Sequence, residues 1–194
     1  MAPGTVLSIP GQASGDVSNS AVFIKSIPPP APGGTFTVAA TKTVTSTNGD
    51  IIITAFDINM AGNIAAGTGT ISIHGAEPSQ SIGIGSTSAN MHITGTELQK
   101  MAGAGMRLGD GYSGSITVNG ITNAHSTNIG SRVTMVAAAD EGTITFTGTH
   151  STFYGLAAQA DAGMVVNTDV TGKIGIVSLN GDLDDTADAA ADNI

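Results

Sequence analysis

Gly142-Thr-Ile-Thr-Phe-Thr-Gly148 decides how this chain is read. Two apolar side chains, Ile144 and Phe146, alternate with three threonines, and a glycine stands at each end. Period-two alternation over so short a run predicts a strand with one face in a core and the other in water, bounded by tight turns. The pattern recurs at Gly34-Thr-Phe-Thr-Val, Gly49-Asp-Ile-Ile-Ile and Gly69-Thr-Ile-Ser-Ile-His-Gly. It returns at Gly114-Ser-Ile-Thr-Val-Asn-Gly and Gly172-Lys-Ile-Gly-Ile. Weaker copies stand at Ser81-Ile-Gly-Ile-Gly, Asn90-Met-His-Ile-Thr-Gly, Met106-Arg-Leu-Gly, Arg132-Val-Thr-Met and Gly163-Met-Val-Val-Asn.

Strong copies starting at 34, 49, 69, 114, 142 and 172 give a broad spacing of about 20–30 residues, with weaker copies filling the widest gap. Short strands at that spacing, without a long helix, predict an all-β parallel β-helix (β-solenoid) in which each coil pairs with the next. With ~20–25 residues per coil and strands ~4.8 Å apart, residues 35–185 would make roughly six or seven coils and a rod on the order of 30 Å long, the solenoid itself being assigned to 35–183. Asn48-Gly49, Asn119-Gly120 and Asn180-Gly181 are turn dipeptides suited to corners. An antiparallel sandwich is the competing architecture, since Asn-Gly also favours hairpins. It would bury more large side chains than five Phe, two Tyr and no Trp supply. Thr96–Met101 and Phe153–Ala160 read as short helical turns at corners.

The flanks differ. Residues 1–34 form an extended N-terminal arm, whose Pro28-Pro29-Pro30-Ala31-Pro32-Gly33-Gly34 is a semi-rigid connector. The arm carries a short apolar run at Val22, Phe23 and Ile24, which needs a buried home and suits pairing with a sheet edge, on its own subunit or on a neighbouring one. Residues 184–194 read as an acidic tail.

Composition excludes more than it identifies. Net charge is −9, and the six Lys and Arg are scattered singly, so no basic patch exists for nucleic acid or an anionic membrane surface. There is no Cys and hence no thiol chemistry. No apolar run approaches the ~20 residues of a membrane span. The Met-Ala-Pro-Gly start carries no recognisable signal peptide.

Ile93-Thr-Gly-Thr-Glu-Leu-Gln-Lys-Met, Gly114-Ser-Ile-Thr-Val-Asn-Gly-Ile-Thr and Leu179-Asn-Gly-Asp-Leu-Asp-Asp-Thr-Ala-Asp resemble repeats of large β-strand-repeat surface proteins, themselves similar to filamentous-haemagglutinin-type adhesins. The resemblance spans about residues 45–190. It implies an extracellular or cell-surface β-helical fibre, or an adhesin stalk touching a surface ligand or polysaccharide. The short length and proline-rich arm favour a small subunit that polymerises.

Chemical candidates are sparse. Asp182, Asp184 and Asp185 would supply oxygen ligands to a calcium ion, the one cofactor the sequence suggests, although no complete calcium-loop spacing is present. His74 and His92, 18 residues apart, would bind a metal together if they lay on neighbouring coils. Thr35/Thr37, Thr41/Thr43/Thr45 and Thr143/Thr145/Thr147 would form a flat hydroxyl face, as in an ice-binding solenoid, if they stacked. Arg107 and Asp110 are the one basic–acidic neighbour pair in mid-chain, too little for the converging groups of a polysaccharide-cleaving enzyme. The expected product is a structural, non-enzymatic protein that forms a homo-oligomer or filament through its open ends.

Overall fold

A computed structural model describes residues 33–183. The arm's Val22, Phe23 and Ile24, and the tail's Asp184 and Asp185, lie outside the described residues. The chain opens with β1 (Thr35–Val38) and β2 (Thr43–Thr45), then β3 (Ile51–Ala55), β4 (Asp57–Met60) and β5 (Asn63–Ala65). There follow β6 (Thr70–Gly75), β7 (Ile82–Gly85), β8 (Met91–Ile93), α1 (Gly95–Gln99) and β9 (Met101–Ala102). Next are β10 (Gly105–Asp110), β11 (Ile116–Asn119), α2 (Asn123–Ser126), β12 (Val133–Ala137), β13 (Ile144–Phe146) and β14 (Ser151–Phe153). The last strands are β15 (Leu156–Ala160), β16 (Met164–Val166), β17 (Val170–Gly172) and β18 (Ser178–Asn180).

The protein is all-β with parallel sheets. The largest has the order β18-β15-β12-β10-β6-β3, and a five-stranded sheet runs β16-β13-β11-β7-β8. Smaller sheets are β2-β5-β9, β14-β17 and β1-β4. In the six-stranded sheet Ile51 pairs with Ile71, Ile71 with Met106, Met106 with Val133, Val133 with Leu156, and Ala157 with Ser178, offsets of 20, 35, 27, 23 and 21 residues. Parallel neighbours need long connections, and here the rest of each pass through the other sheets supplies them.

Register creates the core. Ile53, Ile73, Leu108, Met135, Ala158 and Leu179 share one row of the six-stranded sheet. Ile93, Ile84, Val118, Phe146 and Val166 share one row of the five-stranded sheet. Both rows belong to a single buried cluster until their last members. Each buried Ile, Leu or Phe is worth about 1.5–3 kcal/mol of transfer free energy, so the rows rather than individual turns hold the sheets together.

The 35-residue offset contains an excursion. After β7 the chain turns back within five residues, and β8 pairs parallel with β7, Ile82 opposite Met91. Such a short return must press its loop onto β7. Gly83 allows it, because a Cβ there would strike the Thr87 carbonyl. β8 then lies beside β4 without a ladder between them, and side chains take over the missing bonds. The His92 N–H donates to Asp57 Oδ1 (2.9 Å) and the Met60 N–H to Glu97 Oε1 (3.0 Å). Lys100 Nζ donates to the Met60 carbonyl (2.8 Å). Glu97 also closes a capping box, its Oε2 accepting from the Thr94 N–H (2.9 Å).

Two expected elements are corrected. Phe153–Ala160 is not a helical turn: it is the end of β14, a break at Gly155, and β15. Its alanines are helix formers by propensity, but here they fill places that face β12 across the ladder, and pairing overrides propensity. Gly172-Lys-Ile-Gly-Ile is not a strand of its own. β17 ends at Gly172, and the next strand starts at Ser178. Gly175 takes a positive φ of 65°, and the Ile174 N–H is held by the Tyr154 carbonyl, so the segment is a loop. The turn expected over Thr96–Met101 is present as α1, which starts one residue earlier and ends at Gln99, with Met101 opening β9. Among the described residues no helix is long and apolar enough to cross a membrane.

Candidate functional site

Adjacent strands β3, β6 and β10 end at one corner, and their last residues bring Thr54, His74 and Asp110 together. Thr54 and His74 are register partners. His74 Nδ1 lies 3.4 Å from Asp110 Oδ2 and 3.3 Å from its neighbour's carbonyl at Gly75. Two acceptors face Nδ1, and Nε2 lies within hydrogen-bond distance of the Thr54 hydroxyl at 3.1 Å. Asp110 is itself fixed: its Oδ1 accepts from the Tyr112 N–H and the Ser113 hydroxyl, each at 2.9 Å. The imidazole and the carboxylate are partly open to water, at 24% and 28% exposure. Beside them an open cavity of about 320 Å³ is lined by His74, Gly75, Ala76, Glu77, Pro78, Asp110 and Tyr112.

A hydroxyl, imidazole and carboxylate in line have the order of a nucleophilic triad. The nearby Ala76 and Glu77 N–H groups donate to Gln80 Oε1 (2.9 and 3.3 Å). Gln80 is buried, and its amide donates to the Phe56 carbonyl (2.7 Å), so it serves as a pin for the corner. The arrangement can orient donors and acceptors toward a ligand.

The residues singled out from sequence are dispersed. His74 and His92 do not share neighbouring strands of one sheet: His74 is in the six-stranded sheet and His92 in the five-stranded one. The intervening excursion through β7 and β8 separates them, and His92 Nε2 is engaged with the Gly85 carbonyl (2.9 Å). Asp110 pairs with His74, while Arg107 lies exposed on the outer row of β10. The threonines do not stack into one face. Thr35 and Thr37 are in β1, Thr43 and Thr45 in β2, and Thr145 in β13 stands between Thr117 and Val165. Thr41, with φ of 67°, belongs to a turn. Asp182 is exposed just after β18, its N–H donating to Asn180 Oδ1 (3.2 Å). Among the described residues no three His, Asp or Glu gather into a metal-holding group.

A second feature is the final pass. Val165, Val166, Ile174, Ile176, Val177 and Leu179 are all exposed, Ile176 at 80%. Leu179 and Val166, 46% and 52% exposed, are the last rungs of the two buried rows described above.

Comparison with known proteins finds no matching family model, no similar curated protein and no similar solved structure.

Proposed function

We propose that the chain is a parallel β-solenoid serving as a structural subunit of an extracellular filament, joined end to end through its first and last coils. The observation that carries this is the pair of unfinished rows. Leu179 and Val166 stand in register with fully buried Ile, Met, Phe and Val residues, yet have nothing stacked on them among the described residues. The outer edges of β16, β17 and β18 likewise end their sheets. Edge strands with apolar neighbours are templates for further pairing. A contact between unlike ends does not close on itself and therefore propagates. At the opposite end β2 is exposed throughout and Val44 projects from it. The arm with Val22, Phe23 and Ile24 would cross the joint and lend a strand to the neighbour.

Sedimentation velocity over a concentration series tests the reading. The full chain is expected to form larger species as concentration rises. Val166→Asp combined with Leu179→Asp should hold it monomeric with its circular-dichroism spectrum unchanged. Deleting residues 2–30 should weaken association without abolishing the fold. A monomeric wild type, or variants that assemble like it, would overturn the proposal.

A further inference from the structure

The structure carries a second, independent feature: the corner cavity beside His74 and Asp110. We infer that this cavity binds one sugar unit of a neutral polysaccharide or glycan, with the ring packed on Tyr112 and its hydroxyls held by Asp110 and Glu77. The inference stands whether or not the chain forms filaments.

Several observations converge. Tyr112 is 75% exposed at the cavity rim, although aromatic residues are only 4% of the chain. The face of an aromatic ring suits the apolar C–H face of a pyranose. Asp110 is oriented before any ligand arrives, by the Tyr112 N–H, the Ser113 hydroxyl and His74. Its Oδ2 accepts only His74 among the bonds described, which leaves a lone pair for a ligand hydroxyl. Glu77 adds a second acceptor to the lining, and Ala76 and Pro78 add apolar surface. A volume of about 320 Å³ lies at the small end for ligand sites and suits one ring rather than a buried cofactor.

Electrostatics narrows the class. Among the described residues no Lys or Arg lines the cavity, while two carboxylates do, so phosphate, sulfate and carboxylated sugars are repelled. A metal ion is disfavoured because His74 turns Nδ1, the nitrogen nearest the carboxylate, to Asp110 and Gly75. A neutral polyhydroxylated ring meets acceptors that are already placed and brings no charge of its own.

A glycan microarray carrying neutral, sialylated and sulfated glycans, probed with the full chain and followed by calorimetry on the neutral hits, tests this. Binding to neutral glycans is expected. Tyr112→Ala should weaken it by about tenfold, the scale of an aromatic stacking contact. Tyr112→Phe should retain most of it, and Asp110→Asn should reduce it. Circular dichroism of the variants separates lost binding from lost fold. Absence of binding to every neutral glycan would overturn the assignment, as would binding unchanged in Tyr112→Ala. So would a response to tetralysine in place of sugars, which would mark a cation site.

Discussion

At the scale of single residues, the parallel ladders leave little tolerance where the backbone turns. Gly85 closes β7 with φ of 85°, and a Cβ there would collide with the Asn119 carbonyl of the neighbouring strand. Left-handed backbone costs a non-glycine residue about 1–2 kcal/mol before any collision is counted. Gly85→Ala should therefore lower stability by at least ~2 kcal/mol. Gly111→Ala is the matched control, since a Cβ at Gly111 meets nothing within 4 Å. It should change stability by less than about 0.5 kcal/mol. Chemical denaturation of both variants checks the contrast, and equal effects would show that the corner is not as tight as the register requires.

At the scale of elements, the join of β4 to β8 and α1 depends on side chains where other strands use backbone. Glu97 accepts from the Met60 N–H while completing the cap of α1. Glu97→Ala should cost roughly 2–3 kcal/mol, combining a lost cap with an unpaired strand donor. Glu97→Gln, which keeps an acceptor in place, should cost less. Thermal unfolding of the two variants decides, and an Ala variant as stable as wild type would mean the seam is held elsewhere. Much of the strand set was legible beforehand. Glycine-flanked alternation located β1, β3, β6, β11 and β13, and the weaker copies marked β7, β8, β10, β12 and β16. The failures have physical causes. Ile174 and Ile176 alternate like strand residues but no further layer covers them among the described residues, so a loop pinned to Tyr154 wins. Helix α2 is four residues long and cannot display a periodicity. His74 and Asp110 meet only because β6 pairs with β10 across an offset that contains the β8–α1 excursion, and no local pattern announces that register. Tyr112 is one of two tyrosines in the sequence, and only the fold shows that it stands exposed beside His74 and Asp110.

At the scale of the whole molecule, the two buried rows reach water at their last members, Val166 and Leu179. Burying that layer against another copy would complete rows already begun, and the energy gained would be of the kind that holds successive passes together. The same logic makes the strands lie across the long axis of whatever forms. X-ray diffraction from aligned assemblies of the full chain tests this central claim most directly. The account predicts unbranched filaments with a reflection at about 4.8 Å along the filament axis. Discrete particles at every concentration, or filaments whose strand spacing lies across the axis, would contradict it.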